Sequence, residues 1–181
     1  MSTHVAFLRS INVGGRRVTG AALEAAFDAI GLDSPVSYQA SGNVVFDAPG
    51  ADVAELRTRI EDGLRSALDF DVPTMVRTAA EVAAAASLSP FDDAEVAASR
   101  GKVQVSLLME APDHDVVGDV LALATDDDRL HVEGRELYWL PAAGMSDADL
   151  DLAVIERLLG MQTRRTQATL QRLVARFGLA G

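Results

Sequence analysis

Cysteine is absent from the 181-residue sequence, and Lys102 is its single lysine. Without cysteine, disulfide bonds, thiol nucleophiles and thiolate metal sites are excluded, and a reducing compartment is compatible with the composition. No stretch approaches the roughly 20 apolar residues that a membrane-spanning helix needs, and residues 1–4 do not lead into a signal-peptide pattern. We therefore expect a cytoplasmic protein with no membrane partner.

Basic residues are fewer than acidic ones, 16 against 27, so the formal net charge is -11. An acidic body argues against broad affinity for nucleic acid, which requires a basic surface. The segment after Glu156 is an exception, because it contains no acidic residue and carries several arginines: Arg157, Arg164, Arg165, Arg172 and Arg176. Intramolecular contacts of these arginines are favoured over an anionic partner. Nucleic acid is not expected as a partner, and the oligomeric state stays open.

The hydrophobic fraction of 49% is enough for a sizeable core. Residues 1–78 predict the order strand, helix, strand, strand, helix, strand. The predicted elements are strand 4–8, a helix capped by Thr19, strands 36–40 and 44–46, a helix capped by Asp52, and strand 72–76. This order is the split βαβ, or ferredoxin-like, arrangement.

Residues 79–101 are predicted to form a helix and a linker, and residues 102–181 a second unit. The second unit repeats strand 103–108, helix 113–124, strands 129–132 and 136–140, and a helix capped by Ser146. A helix over residues 166–177 stands where a fourth strand would be expected. The predicted fold is thus α+β, with two tandem ferredoxin-like (α/β-plait) units, the second incomplete and closed by a C-terminal helix.

The loop after the first strand reads Arg9-Ser-Ile-Asn-Val-Gly-Gly-Arg-Arg17. In the strand order 4-1-3-2 of a ferredoxin-like sheet, the end of strand 1 lies beside the start of strand 3. The loop and the hairpin turn Ser41-Gly-Asn43 should therefore share one edge of the sheet. We expect Arg9, Asn12 and Asn43 to converge there.

This edge suits an anion, because free N–H groups and a positive dipole end stand at the start of the following helix. Arginines 9, 16 and 17 add charge, and paired glycines let the backbone approach a ligand. The candidate ligand-binding residues are Arg9, Asn12, Gly14, Gly15, Arg16, Ser41, Gly42 and Asn43. The alternative is a plain turn, in which the glycines satisfy positive φ angles, the asparagines bond their own loops and the arginines are solvated.

Two motifs, Phe7-Leu-Arg-Ser-Ile-Asn-Val-Gly-Gly15 and Tyr38-Gln-Ala-Ser-Gly-Asn-Val-Val-Phe46, resemble a bacterial family known as domain of unknown function 1697 (DUF1697). Ser89-Pro-Phe91 and Thr163-Arg164 extend the resemblance over nearly the full chain. It implies an α+β fold with ferredoxin-like units and no established activity. The sequence departs from the family pattern at three places: Ser10 for glycine, Asp147 for lysine, and Arg165-Thr166 for Asn-Trp.

Other chemistry finds little support. The phosphate-binding motifs Gly-x-x-x-x-Gly-Lys-Ser/Thr and Gly-x-Gly-x-x-Gly are both absent from the sequence. The Gly-x-Ser-x-Gly nucleophile elbow of hydrolases is absent as well. His4, His114 and His131 are scattered, so no metal site is expected. Three aspartates at 147, 149 and 151 resemble the start of a calcium loop, but Leu152 stands where that loop needs glycine. No cofactor is expected.

Three classes of function therefore stay open. The favoured one is a binding protein of unknown physiological role whose small ligand carries a phosphate or carboxylate at the first loop. The second is an enzyme acting on such a ligand, with Arg9 and Asn43 stabilising developing negative charge. The third is a protein–protein interaction module.

Overall fold

The computed structural model describes residues 2–40, 42–144 and 150–179. These residues form a mixed α+β fold with two four-stranded antiparallel sheets and seven helices. The chain divides into two compact units, one made of Met1–Ala84 with Leu173–Gly181 and the other of Ala85–Arg172. None of the helices in the described ranges is long and apolar enough to cross a membrane.

The first unit follows the predicted alternation of strands and helices. Its elements are β1 (Thr3–Leu8), α1 (Gly20–Ala29), β2 (Asp33–Tyr38), β3 (Asn43–Asp47), α2 (Val53–Leu68), β4 (Thr74–Thr78) and α3 (Ala79–Ser87), which continues into the second unit. The sheet order is β2-β3-β1-β4, with every neighbouring pair antiparallel. The end of β1 therefore lies beside the start of β3.

Local chemistry explains where α1 and α2 begin. The Thr19 side chain accepts from the Ala22 N–H, and the Asp52 side chain accepts from the N–H groups of Ala54 and Glu55. Apolar residues of α1 and α2 recur at helical spacing and pack on one face of the sheet. The buried helical residues are Leu23, Ala26, Phe27, Leu56, Ile60 and Leu64. Each large aliphatic or aromatic side chain buried there contributes about 1.5–3 kcal/mol.

The second unit repeats this alternation. Its elements are α4 (Asp93–Ala98), β5 (Gln104–Leu108), α5 (His114–Leu121), β6 (Asp128–Glu133), β7 (Glu136–Pro141), α6 (Leu152–Leu159) and β8 (Gln162–Thr166), followed by α7 (Gln167–Phe177), which ends in the first unit. The sheet order is β6-β7-β5-β8, again antiparallel. Its core contains Leu108, Val120, Leu137, Trp139 and Ile155.

The prediction that the second unit lacks a fourth strand is wrong. Gln-Thr-Arg-Arg-Thr at 162–166 forms β8 and pairs with β5 along its whole length. The strand escaped prediction because it contains no apolar residue, so the alternation that marks a half-buried strand is missing. Its polar side chains are nevertheless mostly buried.

Two helix boundaries also differ from the predicted ones. Ser146, the predicted cap of the fifth segment of the second unit, lies outside the described residues, and α6 begins at Leu152 with Asp151 accepting from the N–H groups of Ala153 and Val154. Part of the predicted linker is helical, because α4 occupies Asp93–Ala98. A reciprocal capping box between Asp92 and Glu95 starts this short helix.

Candidate functional site

The loop of residues 9–19 meets the connection between β2 and β3 at the edge of the first sheet where β1 ends and β3 begins. The Leu8 N–H donates to the carbonyl of Gly42 over 2.8 Å, and the Arg9 N–H donates to the carbonyl of Pro73 over 2.9 Å. The loop thus leaves the sheet from a strand that is hydrogen-bonded on both sides. Its starting point is fixed by the backbone of β1 rather than by side chains.

Asn12 joins the loop to the hairpin. Its Nδ2 donates to the carbonyl of Ala40 over 2.9 Å, and its Oδ1 accepts from the Val18 N–H over 2.7 Å. A longer contact of 3.4 Å runs from Nδ2 to the Val18 carbonyl. One side chain therefore closes the loop on itself and also attaches it to the neighbouring turn. Asparagines commonly stabilise loops by such side-chain bonds, and here one of the bonds reaches a residue 28 positions away.

Positive φ angles occur at both ends of this edge. Gly14 and Gly15 have φ of 67° and 85°, Gly42 has 75°, and Ser10 has 54°. Ser10 is the position where the resemblance leads one to expect glycine, and a left-handed φ gives that preference its physical reason. Space differs between the glycines: a Cβ at Gly14 would meet nothing within 4 Å, whereas one at Gly42 would lie 2.7 Å from Cγ2 of Ile11.

A cleft of about 580 Å³ opens beside the loop. It is lined by Asn12, Gly15, Arg16, Arg17, Val18, Thr19 and Ala40. Within the described part of the chain, this lining includes no carboxylate and no histidine. The cleft is therefore locally basic on a protein whose formal net charge is -11.

The two arginines of the cleft differ in what holds them. The Arg16 guanidinium lies over the ring of Phe70, 4.3 Å from its centroid, and its Nε donates to the Val13 carbonyl over 3.3 Å. Arg17 is exposed and makes no hydrogen bond, ion pair or ring contact within residues 2–40, 42–144 and 150–179. Arg16 is thus oriented by its neighbours, while the Arg17 side chain is not held by any other described residue.

The start of α1 forms another part of the cleft wall, through Thr19. Thr19 satisfies the Ala22 N–H, at 3.2 Å. The N–H groups of Gly20 and Ala21 belong to the first helical turn, so they have no acceptor inside the helix. Together with the positive end of the helix dipole, they favour negative charge at this place.

The predicted site residues fall into three groups. Asn12, Gly15 and Arg16 line the cleft, whereas Arg9, Gly14, Gly42 and Asn43 are outside its lining among the described residues. Ser41 lies outside the described residues. The lining residues Arg17 and Thr19 are not among the eight candidates. The sequence predicts Arg17 as a charged residue of the loop and Thr19 as the cap of the helix that follows.

The predicted site residue Asn43 is buried within the hairpin. Its side chain is fully buried, and its Nδ2 donates to the Tyr38 carbonyl over 3.0 Å. The contact spans the hairpin turn itself, as expected if this asparagine bonds its own loop. The convergence of Arg9 with Asn43 on a ligand stays a prediction.

A larger groove lies elsewhere in the first unit, between α1 and α2. It has a volume of about 1040 Å³, and its lining combines alanines of both helices with the charged α2 residues Glu55, Arg57, Arg59 and Asp62. Arg59, one of its lining residues, donates to the carbonyls of Ile30 and Gly31. That arginine therefore completes the end of α1.

The arginines near the carboxyl end are mostly engaged within the chain. Arg165 is buried, and its Nη1 donates to Thr163 Oγ1 and to the Arg164 carbonyl, over 2.9 and 2.8 Å. Burial lowers the pKa of Arg165 to about 10. Arg164 donates to Ser106 Oγ and stacks on Trp139; burial lowers its pKa, and Glu156 opposes that shift. These contacts favour the intramolecular account of the basic segment.

Two arginines of this segment, Arg172 and Arg176, are exposed and test the remaining possibility of nucleic-acid binding. We expect the double variant Arg172→Glu/Arg176→Glu to leave weak retention of single-stranded DNA or RNA unchanged at near-physiological salt, because the body is acidic. Filter binding across a salt series measures this, with Arg172→Lys/Arg176→Lys as the charge-conserving control. Tight, steeply salt-dependent binding by the unmodified protein, lost only in the glutamate variant, would contradict the expectation.

Metal-binding geometry is not found in the described ranges, where no three histidine or acidic side chains are grouped to hold an ion. His114 lies 3.9 Å from Asp115, and His131 lies 3.8 Å from Glu133. These are pairs on exposed or half-exposed surface.

Comparison with known proteins adds the family and the fold. No curated protein matches the sequence. The structure of the conserved bacterial protein SP0830 from Streptococcus pneumoniae is similar at a TM-score of 0.73 and 21% sequence identity, over 98% of this chain and 99% of that one. At that identity the likeness concerns the fold alone. A family model matches residues 1–138, and the chain belongs to that family, described as protein of unknown function (DUF1697).

Proposed function

We propose that this protein is a cytoplasmic binding protein whose small ligand carries a phosphate or carboxylate group, held in the cleft beside the β1–α1 loop. The observation that carries the proposal is the length of the two loops at this edge. The second unit provides an internal comparison, because it builds the same sheet with shorter loops.

Equivalent backbone bonds align the two units. In the second unit the Leu108 N–H donates to the Arg135 carbonyl over 2.8 Å, as the Leu8 N–H donates to Gly42 in the first. The Met109 N–H donates to the Met161 carbonyl over 3.0 Å, as that of Arg9 donates to Pro73. Strands β1 and β5 therefore occupy the same place in their sheets.

The connections from these equivalent points differ in length. Residues 109–113 join β5 to α5, whereas residues 9–19 join β1 to α1. Residues 134–135 join β6 to β7, whereas residues 39–42 join β2 to β3. The second unit shows that the shorter connections suffice for this sheet order. The additional residues of the first unit are not needed to close the fold, and loops of this kind commonly carry function.

The charge of the cleft and the tethering of its loop by Asn12 favour an anionic ligand. The cleft offers Arg16 and Arg17, the start of α1, and a loop that Asn12 holds against the hairpin. Arginine binds phosphate and carboxylate with paired hydrogen bonds. Because the described lining contains no carboxylate or histidine, it supplies no evident general acid or base, and binding is favoured over catalysis.

The test is a titration with inorganic phosphate, acetate and nucleotides, followed by NMR chemical shifts of loop amides. Losing a charge-assisted hydrogen bond to a bound anion is worth about 1.5–3 kcal/mol. We therefore expect Arg17→Ala to weaken binding about tenfold or more, with thermal stability unchanged. Arg176→Ala, at an exposed arginine outside the cleft, is the matched control. Absence of saturable shifts with every probe, or equal affinities for Arg17→Ala and the parent, would refute the proposal.

We also infer that both units have the ferredoxin-like arrangement. Each follows the order strand, helix, strand, strand, helix, strand. Each sheet, numbered within its unit, has the order 4-1-3-2. These two properties support the inference, since they are what the split βαβ arrangement requires.

A further inference from the structure

Strand β6 stands at one end of its sheet and exposes part of its backbone. Trp139 and Leu137 of β7 alternate in register with Arg135, whose carbonyl accepts from β5, so the intervening residues of β7 face β6. The Ala142 N–H donates to the Asp127 carbonyl over 2.6 Å, which fixes the same alternation from the other side. Within β6, Leu130 and Val132 therefore direct their N–H and C=O groups away from the sheet.

On each of the other edge strands, side chains bond part of the outward-facing backbone. On β2, the Ser37 N–H donates to Glu24 Oε1 over 2.8 Å. On β4, the Thr74 and Thr78 N–H groups donate to Glu61 and Glu81, over 2.9 and 2.8 Å. Such caps are one way in which proteins block pairing at a sheet edge.

On β8, the Arg164 carbonyl accepts from the guanidinium of Arg165 over 2.8 Å. At the start of β6, Thr125 covers Asp128: the Thr125 N–H donates to the Asp128 carbonyl over 3.0 Å, and Thr125 Oγ1 accepts from the Asp128 N–H over 2.9 Å. For Leu130 and Val132, the described part of the chain provides no comparable cap. On β6, therefore, both the N–H and the C=O groups of two successive outward residues are left without a cap from the described residues.

We propose that β6 pairs antiparallel with β6 of a second copy of this chain, in the register that places His131 opposite His131 across a twofold axis. In this register the Leu130 N–H and C=O bond Val132 of the second copy, and the reverse pair follows by symmetry. All four outward groups of each strand are then satisfied. The β6-containing sheet of one copy and that of the second copy then form one continuous sheet.

Charge favours the same register. Arg129 comes to lie opposite Glu133 of the second copy, twice across the axis, and opposite charges at facing positions stabilise strand pairs. Both side chains are well exposed, at 50% and 69%. Glu95 contacts Arg129 at 3.3 Å on the surface, a kind of pair that solvent weakens, so Arg129 can exchange it.

Neighbouring registers are less favourable. A shift that centres the axis on Leu130 places Asp128 opposite Val132, and the backbone of Asp128 is already bonded to Thr125. A shift that centres it on Val132 leaves Leu130 opposite Gly134, beyond the end of the partner strand. The register centred on His131 is the one that uses both free residues and both charges.

The experiment is sedimentation velocity of the full chain over a micromolar concentration series. We expect a concentration-dependent dimer in the parent protein and a monomer for Leu130→Pro, because proline removes an outward N–H and leaves the bonds of β6 to β7 in place. Leu130→Ala, which keeps the N–H, should still dimerise. Circular dichroism confirms that each variant is folded. A parent protein that stays monomeric throughout the series would overturn the proposal.

A charge exchange tests the register independently of proline. Arg129→Glu and Glu133→Arg should each raise the dimer dissociation constant about tenfold or more, because two like-charged pairs replace two opposite ones. The double variant Arg129→Glu/Glu133→Arg restores opposite charges and should recover dimerisation. If either single variant dimerises as well as the parent, or the double variant fails to recover, the proposed pairing is wrong.

Discussion

Gly42→Ala should lower the free energy of unfolding by about 2–5 kcal/mol, because it combines backbone strain with a steric clash. Gly42 has φ of 75°, and a Cβ there would lie 2.7 Å from Ile11 Cγ2 and 3.0 Å from Leu8 Cβ. Ile11 and Leu8 are both buried, so neither can move aside freely. Urea denaturation followed by circular dichroism measures the loss.

Gly14→Ala is the matched control for this change. Gly14 also has a positive φ, 67°, but a Cβ there meets nothing within 4 Å. The substitution therefore adds only the strain of a left-handed residue, about 1–2 kcal/mol. Equal losses for the two variants would show that packing against Ile11 contributes nothing and that the hairpin is held by backbone conformation alone.

Arg165→Glu should destabilise the protein by about 3–5 kcal/mol, because it places an uncompensated charge inside the fold. Arg165 is 8% exposed, and its guanidinium bonds Thr163 and the Arg164 carbonyl. A glutamate cannot donate to those acceptors and would be desolvated there. Thermal and chemical denaturation, fitted together, measure the change.

Arg176→Glu provides the comparison for that substitution, since Arg176 is exposed and lies in the same basic segment. We expect it to change stability by no more than about 0.5 kcal/mol. A comparably small effect of Arg165→Glu would mean that the side chain at 165 reaches solvent. Because Arg165 is buried, its charge reversal measures an effect on folding. A test of nucleic-acid binding therefore has to use the exposed arginines.

Elements of the first unit could be predicted because their signals are local. The Thr19 and Asp52 caps and the helical spacing after Asp52 are visible within a few residues of sequence. The alternation of strands and helices then leads to the meeting of the first loop with the hairpin. That meeting is observed, in the bonds from Leu8 to Gly42 and from Asn12 to Ala40.

Features set by tertiary environment could not be predicted in this way. Arg165 and Asn43 have polar side chains that usually lie at the surface, yet the first sits within β8 and the second inside a hairpin. Of the two neighbouring exposed arginines, only the fold decides which one stacks on Phe70 and which one makes no hydrogen bond, ion pair or ring contact with the described residues. The sequence therefore located the edge of the sheet but assigned its side chains incompletely.

The Asn12 bridge also bears on local unfolding. Its amide holds both the Val18 end of the loop and the Ala40 end of the hairpin, so neither can detach without breaking a bond of the same side chain. The two segments should therefore open as one cooperative unit rather than fray separately, and the Val18 amide should exchange its hydrogen only when that unit opens. Access to the cleft and protection of this amide are thus governed by the same equilibrium.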